Sequence, residues 1–191
     1  MALPHLTHPA FWYPHAPPPL WKAVKPITLE EYLESINWTI YLPAWLPDGL
    51  RPVAVWKKGN IAVIAYDYGH VENYEEAALT IDLAVYSLSK CSTPEDVESS
   101  FWRMVEDDRK HGRNITVIVT DDMMFKVDFN VYMDPEVEQI YNEKFGSRGY
   151  VAFGYIIVND TYFLDYAILM APQIATPQEF IKIIESLQPA N

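Results

Sequence analysis

A single cysteine, Cys91, leaves this chain without an internal disulfide, so packing and hydrogen bonds alone must hold the fold. The thiol reads as a small buried group, because no histidine lies close in sequence to activate it. Basic residues are also scarce: 14 Lys and Arg face 26 Asp and Glu, for a net charge of -12. Nucleic-acid binding rests on Lys and Arg neutralising phosphate, so that partner class is excluded. The same imbalance disfavours an anionic membrane surface. No apolar run is long enough to span a bilayer, and no direct membrane insertion is expected. Met1-Ala-Leu-Pro-His5 lacks the basic and apolar regions of a signal peptide, so the leader or anchor of an exported chain would lie outside this sequence. Missing too are the G-x-S-x-G elbow, the phosphate-binding loop and the H-E-x-x-H zinc motif. These absences point to a non-enzyme with no cofactor and no metal.

Aromatic residues are plentiful at 14%, with 13 Tyr and 6 Trp, a composition suited to strands and half-exposed sheet faces. Residues 1–27 stand apart. They hold seven of the 15 prolines and three of the five histidines. Proline at this density forbids helix and central strand, leaving an extended or polyproline arm. Yet Leu6, Phe11, Trp12, Tyr13, Leu20 and Trp21 each lose about 1.5–3 kcal/mol if left in water. The arm is therefore expected to pack, either over its own domain or, through Phe11, Trp12, Tyr13 and Trp21, on a protein partner or a second copy. His5, His8 and His15 could offer imidazoles to a metal, but no carboxylate or cysteine in the arm completes a ligand set.

Residues 28–191 read as one domain. Thr28-Leu-Glu-Glu31 is a capping box opening a two-turn helix with Leu29, Tyr32, Leu33 and Ile36 on one stripe. A short strand over 38–42 follows, stopped by proline. Strands at 53–57 and 61–68 flank the Lys58-Gly59-Asn60 turn. Over 78–88, Leu79, Ile81, Leu83 and Val85 alternate with Thr80 and Asp82, which predicts a strand with one wet face. Thr93-Pro94-Glu95-Asp96 starts a helix whose stripe is Val97, Phe101, Met104 and Val105 and which ends at Gly112. Strands over 115–119 and 123–131 meet at Asp121-Asp122, the second with Lys126, Asp128 and Asn130 on a polar face. Asp82 and Asp128 are expected to pair with Lys126 across strands. Strands at 150–158 and 161–170, joined at Asn159-Asp160, are apolar on both faces and should lie mid-sheet. Thr176-Pro-Gln-Glu179 caps a final helix with Phe180, Ile181, Ile184 and Leu187 inward. The fold class is α+β: a curved antiparallel sheet of about seven or eight strands in hairpin meander order, with three α-helices against one face.

Two stretches carry a resemblance. Ile40-Tyr-Leu-Pro-Ala-Trp-Leu-Pro-Asp-Gly-Leu50 resembles the "LP-x-x-LP-x-G" opening of an uncharacterised domain family found in extracytoplasmic lipoproteins and anti-sigma-factor ectodomains, and Gln178-Glu-Phe-Ile-Lys-Ile-Ile-Glu-Ser-Leu187 is similar to its closing helix. The resemblance spans about residues 36 to 188. It implies a LolA/RseB-like half-barrel, an extracellular or cell-surface location, and no catalytic residues. In LolA-like relatives a groove between sheet and helices takes lipid or peptide; here its wall would come from Trp56, Ile64, Tyr66, Phe125 and Phe129. The N-x-[ST] sequons at Asn37, Asn114 and Asn159 fit such a compartment as glycosylation sites.

The expected function is a non-catalytic extracytoplasmic binding, sensing or structural domain. One alternative is a subunit of a homo-oligomeric or filamentous assembly docked through the arm. Another is a hydrolase using scattered acids. Asp165 bears on the last, as a carboxylate inside an apolar strand needs a partner. His70, among Glu72, Glu75 and Glu76, reads as a solvated loop residue.

Overall fold

The three helices among the described residues each begin at a threonine. A computed structural model describes residues 24–89, 93–129 and 149–190. The arm residues Phe11, Trp12, Tyr13 and Trp21, the histidines His5, His8 and His15, and Cys91 lie outside the described residues. Helices α1 (Leu29–Glu34), α2 (Pro94–Lys110) and α3 (Pro177–Glu185) follow Thr28, Thr93 and Thr176. Each threonine hydroxyl accepts a backbone N–H three residues on, and the acid there accepts the threonine N–H in return. The α2 helix stops where Gly112 takes a φ of 74°, a conformation that costs glycine little.

Nine strands among the described residues run in chain order: β1 (Ile40–Pro43), β2 (Arg51–Lys58), β3 (Ile61–Asp67), β4 (Leu79–Ser87), β5 (Ile115–Val119), β6 (Met123–Asp128), β7 (Tyr150–Asn159), β8 (Tyr162–Met170) and β9 (Leu187–Ala190). Seven of them form one open antiparallel sheet in the order β2-β3-β4-β8-β7-β6-β5. The architecture is α+β, as the residue pattern predicts. Two meanders, β2 to β4 and β5 to β8, join where β4 pairs with β8 from Leu79↔Met170 to Ser87↔Tyr162. The doubly apolar strands β7 and β8 are interior, and β8 is the central one.

Both faces of the sheet are covered, which corrects the expectation of helices on one face only. Against one face lie α1, α3 and a two-stranded sheet of β1 and β9, burying Tyr32, Ile40, Phe180 and Ile184 on Ile64, Ile81, Phe125 and Ile168. Against the other lies α2, with Phe101 and Val105 on Met124. The wet faces expected of β4 and β6 are dry: Lys126 is 7% exposed beneath α2, and Thr80 at 1% and Asp82 at 7% lie beside the cluster of Trp56, Val63, Tyr74 and Ala77. Alternation marks which side chains share a face, but a later segment decides whether that face meets water.

The two stretches that carry the family resemblance fold against each other. β1 pairs antiparallel with β9, from Ile40↔Ala190 to Pro43↔Leu187. The Ala44 N–H donates to the Ser186 carbonyl at 3.0 Å, the Trp45 N–H donates to Ser186 Oγ at 3.2 Å, and Lys182 Nζ sits 3.9 Å from the Trp45 ring centroid. Tyr166 on β8 fastens this unit to the main sheet: its hydroxyl accepts from Tyr41 N–H at 2.9 Å and donates to the Tyr41 carbonyl at 3.0 Å.

Candidate functional site: an acid pair at the centre of the sheet

Strand register places two carboxylates together. Asp82 of β4 faces Ala167, and Asp165 of β8 faces Ala84, so the two acids are diagonal neighbours on the α2 side of the sheet. Diagonal positions on adjacent strands lie about 7–8 Å apart, within reach of side chains. Tyr155 of β7 stands directly opposite Asp165. Trp56 and Tyr74, packed edge-on with ring centroids 5.7 Å apart, belong to the apolar cluster that covers the β2–β3 side of this face, together with Val71 and Ala77.

The acids are costly where they are. Asp82 Oδ1 and the neighbouring Thr80 Oγ1 are buried and have no hydrogen-bond partner among the described residues. A buried polar atom without a partner costs on the order of 1–3 kcal/mol. Burial pushes the Asp82 carboxyl well above its ordinary range and raises Asp165 from 3.8 to about 8. The tyrosines respond to the same surroundings. Burial, and then the Asp165 charge, lift Tyr86 to about 12; burial, Asp165 and Tyr86 raise Tyr155. Burial thus favours the protonated form of both carboxyls, in which each can donate as well as accept. Asp165 is half-buried.

Lys126 does not neutralise this pair. Asp82, Ala167, Phe153 and Lys126 stand side by side across β4, β8, β7 and β6. Three strand spacings, about 14 Å, separate the two charges. Lys126 instead makes a buried ion pair with Asp108 of α2, whose other oxygen meets Arg113 Nη1 at 3.3 Å. The expected cross-strand pair of Asp82 with Lys126 is corrected accordingly: the helix supplies the counter-ion.

No family model, curated protein or solved structure matches the chain. Its site must therefore be read from its own geometry.

The five residues expected to line a groove do not share a wall. Ile64, Tyr66 and Phe125 are buried in the main core beneath α1, α3 and the small sheet, with no surface left for a ligand. Phe129 packs at the rim of that core, edge-on to Tyr150 and Phe180. Trp56 lies on the opposite face of the sheet. His70 is exposed in the loop after β3. No group of three or more His, Cys, Asp or Glu among the described residues is arranged to hold a metal. The sequon residues Asn37, Asn114 and Asn159 are all exposed, in a bend, a loop and a hairpin end. Asn159 Oδ1 already accepts the Thr161 N–H at 2.8 Å, an Asx turn that closes the β7–β8 hairpin.

The pH dependence of stability tests the acid pair directly. Below about pH 4, Asp165 is protonated folded or unfolded and contributes nothing. Between about pH 4 and 8 the unfolded chain releases this proton while the folded chain keeps it, so stability falls as pH rises and levels off above about pH 8. Asp165→Asn should flatten the slope to what Asp82 alone contributes, leaving the variant more stable than the parent by about 5–6 kcal/mol at high pH and equal to it in acid. Urea unfolding at a series of pH values measures this. Parallel pH profiles for parent and variant would show an ordinary, solvated carboxyl.

Proposed function

We propose that this protein is a non-catalytic binding or sensing module of an exported or cell-surface protein. Its recognition element is the acid pair at the centre of the sheet. The observation that carries the reading is the burial of Asp82 with an oxygen that has no partner among the described residues, diagonal to Asp165 and next to the likewise unpartnered Thr80 hydroxyl. A core that served stability alone would be better filled by apolar groups there, and such local conflicts gather at functional sites. The chemistry that would satisfy these atoms is a small organic cation or amine. Its N–H groups would pair with both carboxyls, and its charge would replace their protons. The extracytoplasmic placement is supported by the resemblance of the 40–50 and 178–187 stretches and by the exposure of all three sequon asparagines.

Calorimetric titration with a panel of linear mono- and diamines tests the reading. Binding should release protons, seen as a heat that changes with the ionisation enthalpy of the buffer, and should be lost in Asp82→Asn and Asp165→Asn. A panel without any binder, or binding unchanged in both variants, would overturn it. The diagonal spacing favours one second reading, acid-pair glycoside hydrolysis, which needs one acid ionised while the other is protonated. Burial raises both. Turnover of chromogenic glycosides that disappears in either Asn variant would replace binding by hydrolysis.

A further inference from the structure

The two edges of the seven-stranded sheet are built in opposite ways. Natural proteins keep an edge strand from pairing with another chain by charge, proline, bulges or a covering segment. β2 has all of these. It carries Arg51, Pro52, Lys57 and Lys58, its register shifts between Pro52 and Ala54, and Ile27 bonds to Val55 through two backbone hydrogen bonds of 2.9 Å each. β5 has none. It reads Ile-Thr-Val-Ile-Val, β-branched throughout, in unbroken register with β6. Among the described residues its outer side has no strand partner.

One exposed large apolar side chain lies on the same edge. Three large hydrophobic side chains are exposed among the described residues: Tyr68, Trp102 at 38% and Val119 at 51%. Val119 is the last residue of β5. Trp102 lies on α2, where the Met104 sulfur meets the Tyr155 hydroxyl of β7 at 4.0 Å. Two residues of helix turn the side-chain direction by about 200°, so Trp102 points away from the Met104 flank of α2, a helix that packs over β5, β6 and β7.

The edge is complementary to itself. In an antiparallel pairing of two copies about Val117, Ile115 faces Val119 of the second copy and Thr116 faces Ile118. Arg113 comes level with Asp121 of the second copy, and symmetry repeats that opposite-charge match at the other end. Both residues are exposed in the single chain, where Arg113 also meets Asp108 at 3.3 Å. A chain of net charge -12 therefore sets opposite charges against each other at this contact.

The geometry points to a homodimer in which two copies pair their β5 edges antiparallel about Val117, joining two seven-stranded sheets into one. This uses neither the acid pair nor the Pro-rich arm. It satisfies the outward backbone groups of β5, and it sets Val119 of each copy against Ile115 of the other.

Sedimentation of the full chain at about 1 to 100 µM, the range in which an interface of this modest size associates, should show a concentration-dependent monomer–dimer equilibrium. Val119→Lys places a charge on an exposed position and should leave a monomer whose thermal unfolding equals that of the parent at concentrations where the parent is dissociated. Arg113→Glu and Asp121→Arg should each weaken the dimer by about tenfold, and the double variant should recover to within about threefold of the parent. A parent that stays monomeric throughout, a Val119→Lys variant that still dimerises, or a double variant no tighter than the singles would each overturn the proposal.

Discussion

Gly154→Ala is expected to cost about 3 kcal/mol or more of folding free energy, enough to leave much of the protein unfolded. Gly154 lies in β7 between Phe125 of β6 and Tyr166 of β8. Those two rings pack edge-on, with centroids 6.1 Å apart. A Cβ built at Gly154 would stand 2.2 Å from the Met124 carbonyl oxygen and 2.6 Å from two Phe125 ring carbons. The ring could move; the carbonyl belongs to the strand ladder and could not move without breaking it. Phe125→Leu in the Gly154→Ala background should accordingly restore only part of the loss. Urea unfolding of the two variants measures both effects. A Gly154→Ala protein within about 1 kcal/mol of the parent would mean that β6 and β7 are not this close.

Asp108→Ala should be the next most damaging change, at about 3 kcal/mol, since it leaves the Lys126 ammonium under α2 without its carboxylate. Lys126→Met should cost less, because Arg113 still faces Asp108 at 3.3 Å. Replacing both with apolar residues, Asp108→Leu with Lys126→Met, should return stability to within about 1 kcal/mol of the parent, as the desolvation cost of both charges is then avoided. Because the pair is buried, added salt should change none of these differences appreciably. The double-mutant cycle by urea unfolding decides the matter; additive losses would show that the two side chains act independently.

Both predictions concern places where strands or layers meet, and neither place is visible in the linear chain. Gly154 looks like any strand glycine until β6 and β8 flank it. Asp108 looks like one acid in the Glu106-Asp107-Asp108 run of a solvated helix face, whereas Glu106 and Asp107 are exposed and Asp108 is buried. A shift of one residue on a helix turns the side chain by about 100°, so a run of like residues is divided between faces that only packing can tell apart.

Local signals were read more directly. Each capping box needs two side chains three residues apart, and all three form at Thr28, Thr93 and Thr176. The turns at Gly59 and Gly112 follow from backbone conformations that glycine adopts at little cost, and both residues take positive φ. The interior position of β7 and β8 follows from side chains apolar on both faces, which cannot be left at an edge.

The candidate site divides along the same line. Asp165 stands out in the sequence as an acid within an apolar strand. Asp82 does not, because it alternates correctly on what reads as a wet face. Their meeting depends on β4 pairing with β8 across about 80 intervening residues, a long-range contact that no local motif encodes.

By itself, then, the sequence determined the α+β class, the three helix starts, the hairpins within each meander and the absence of any disulfide, because these rest on interactions between residues close along the chain. Only the tertiary structure decided that the two meanders join at β4 and β8, that α2 and the cluster around Tyr74 dry the second face, that the 40–50 and 178–187 stretches close on each other through β1 and β9, and that, among the described residues, one sheet edge is guarded and the other bare. Those outcomes depend on which distant segments bury one another, and the free energy of that burial belongs to the assembled layers rather than to any single stretch of sequence.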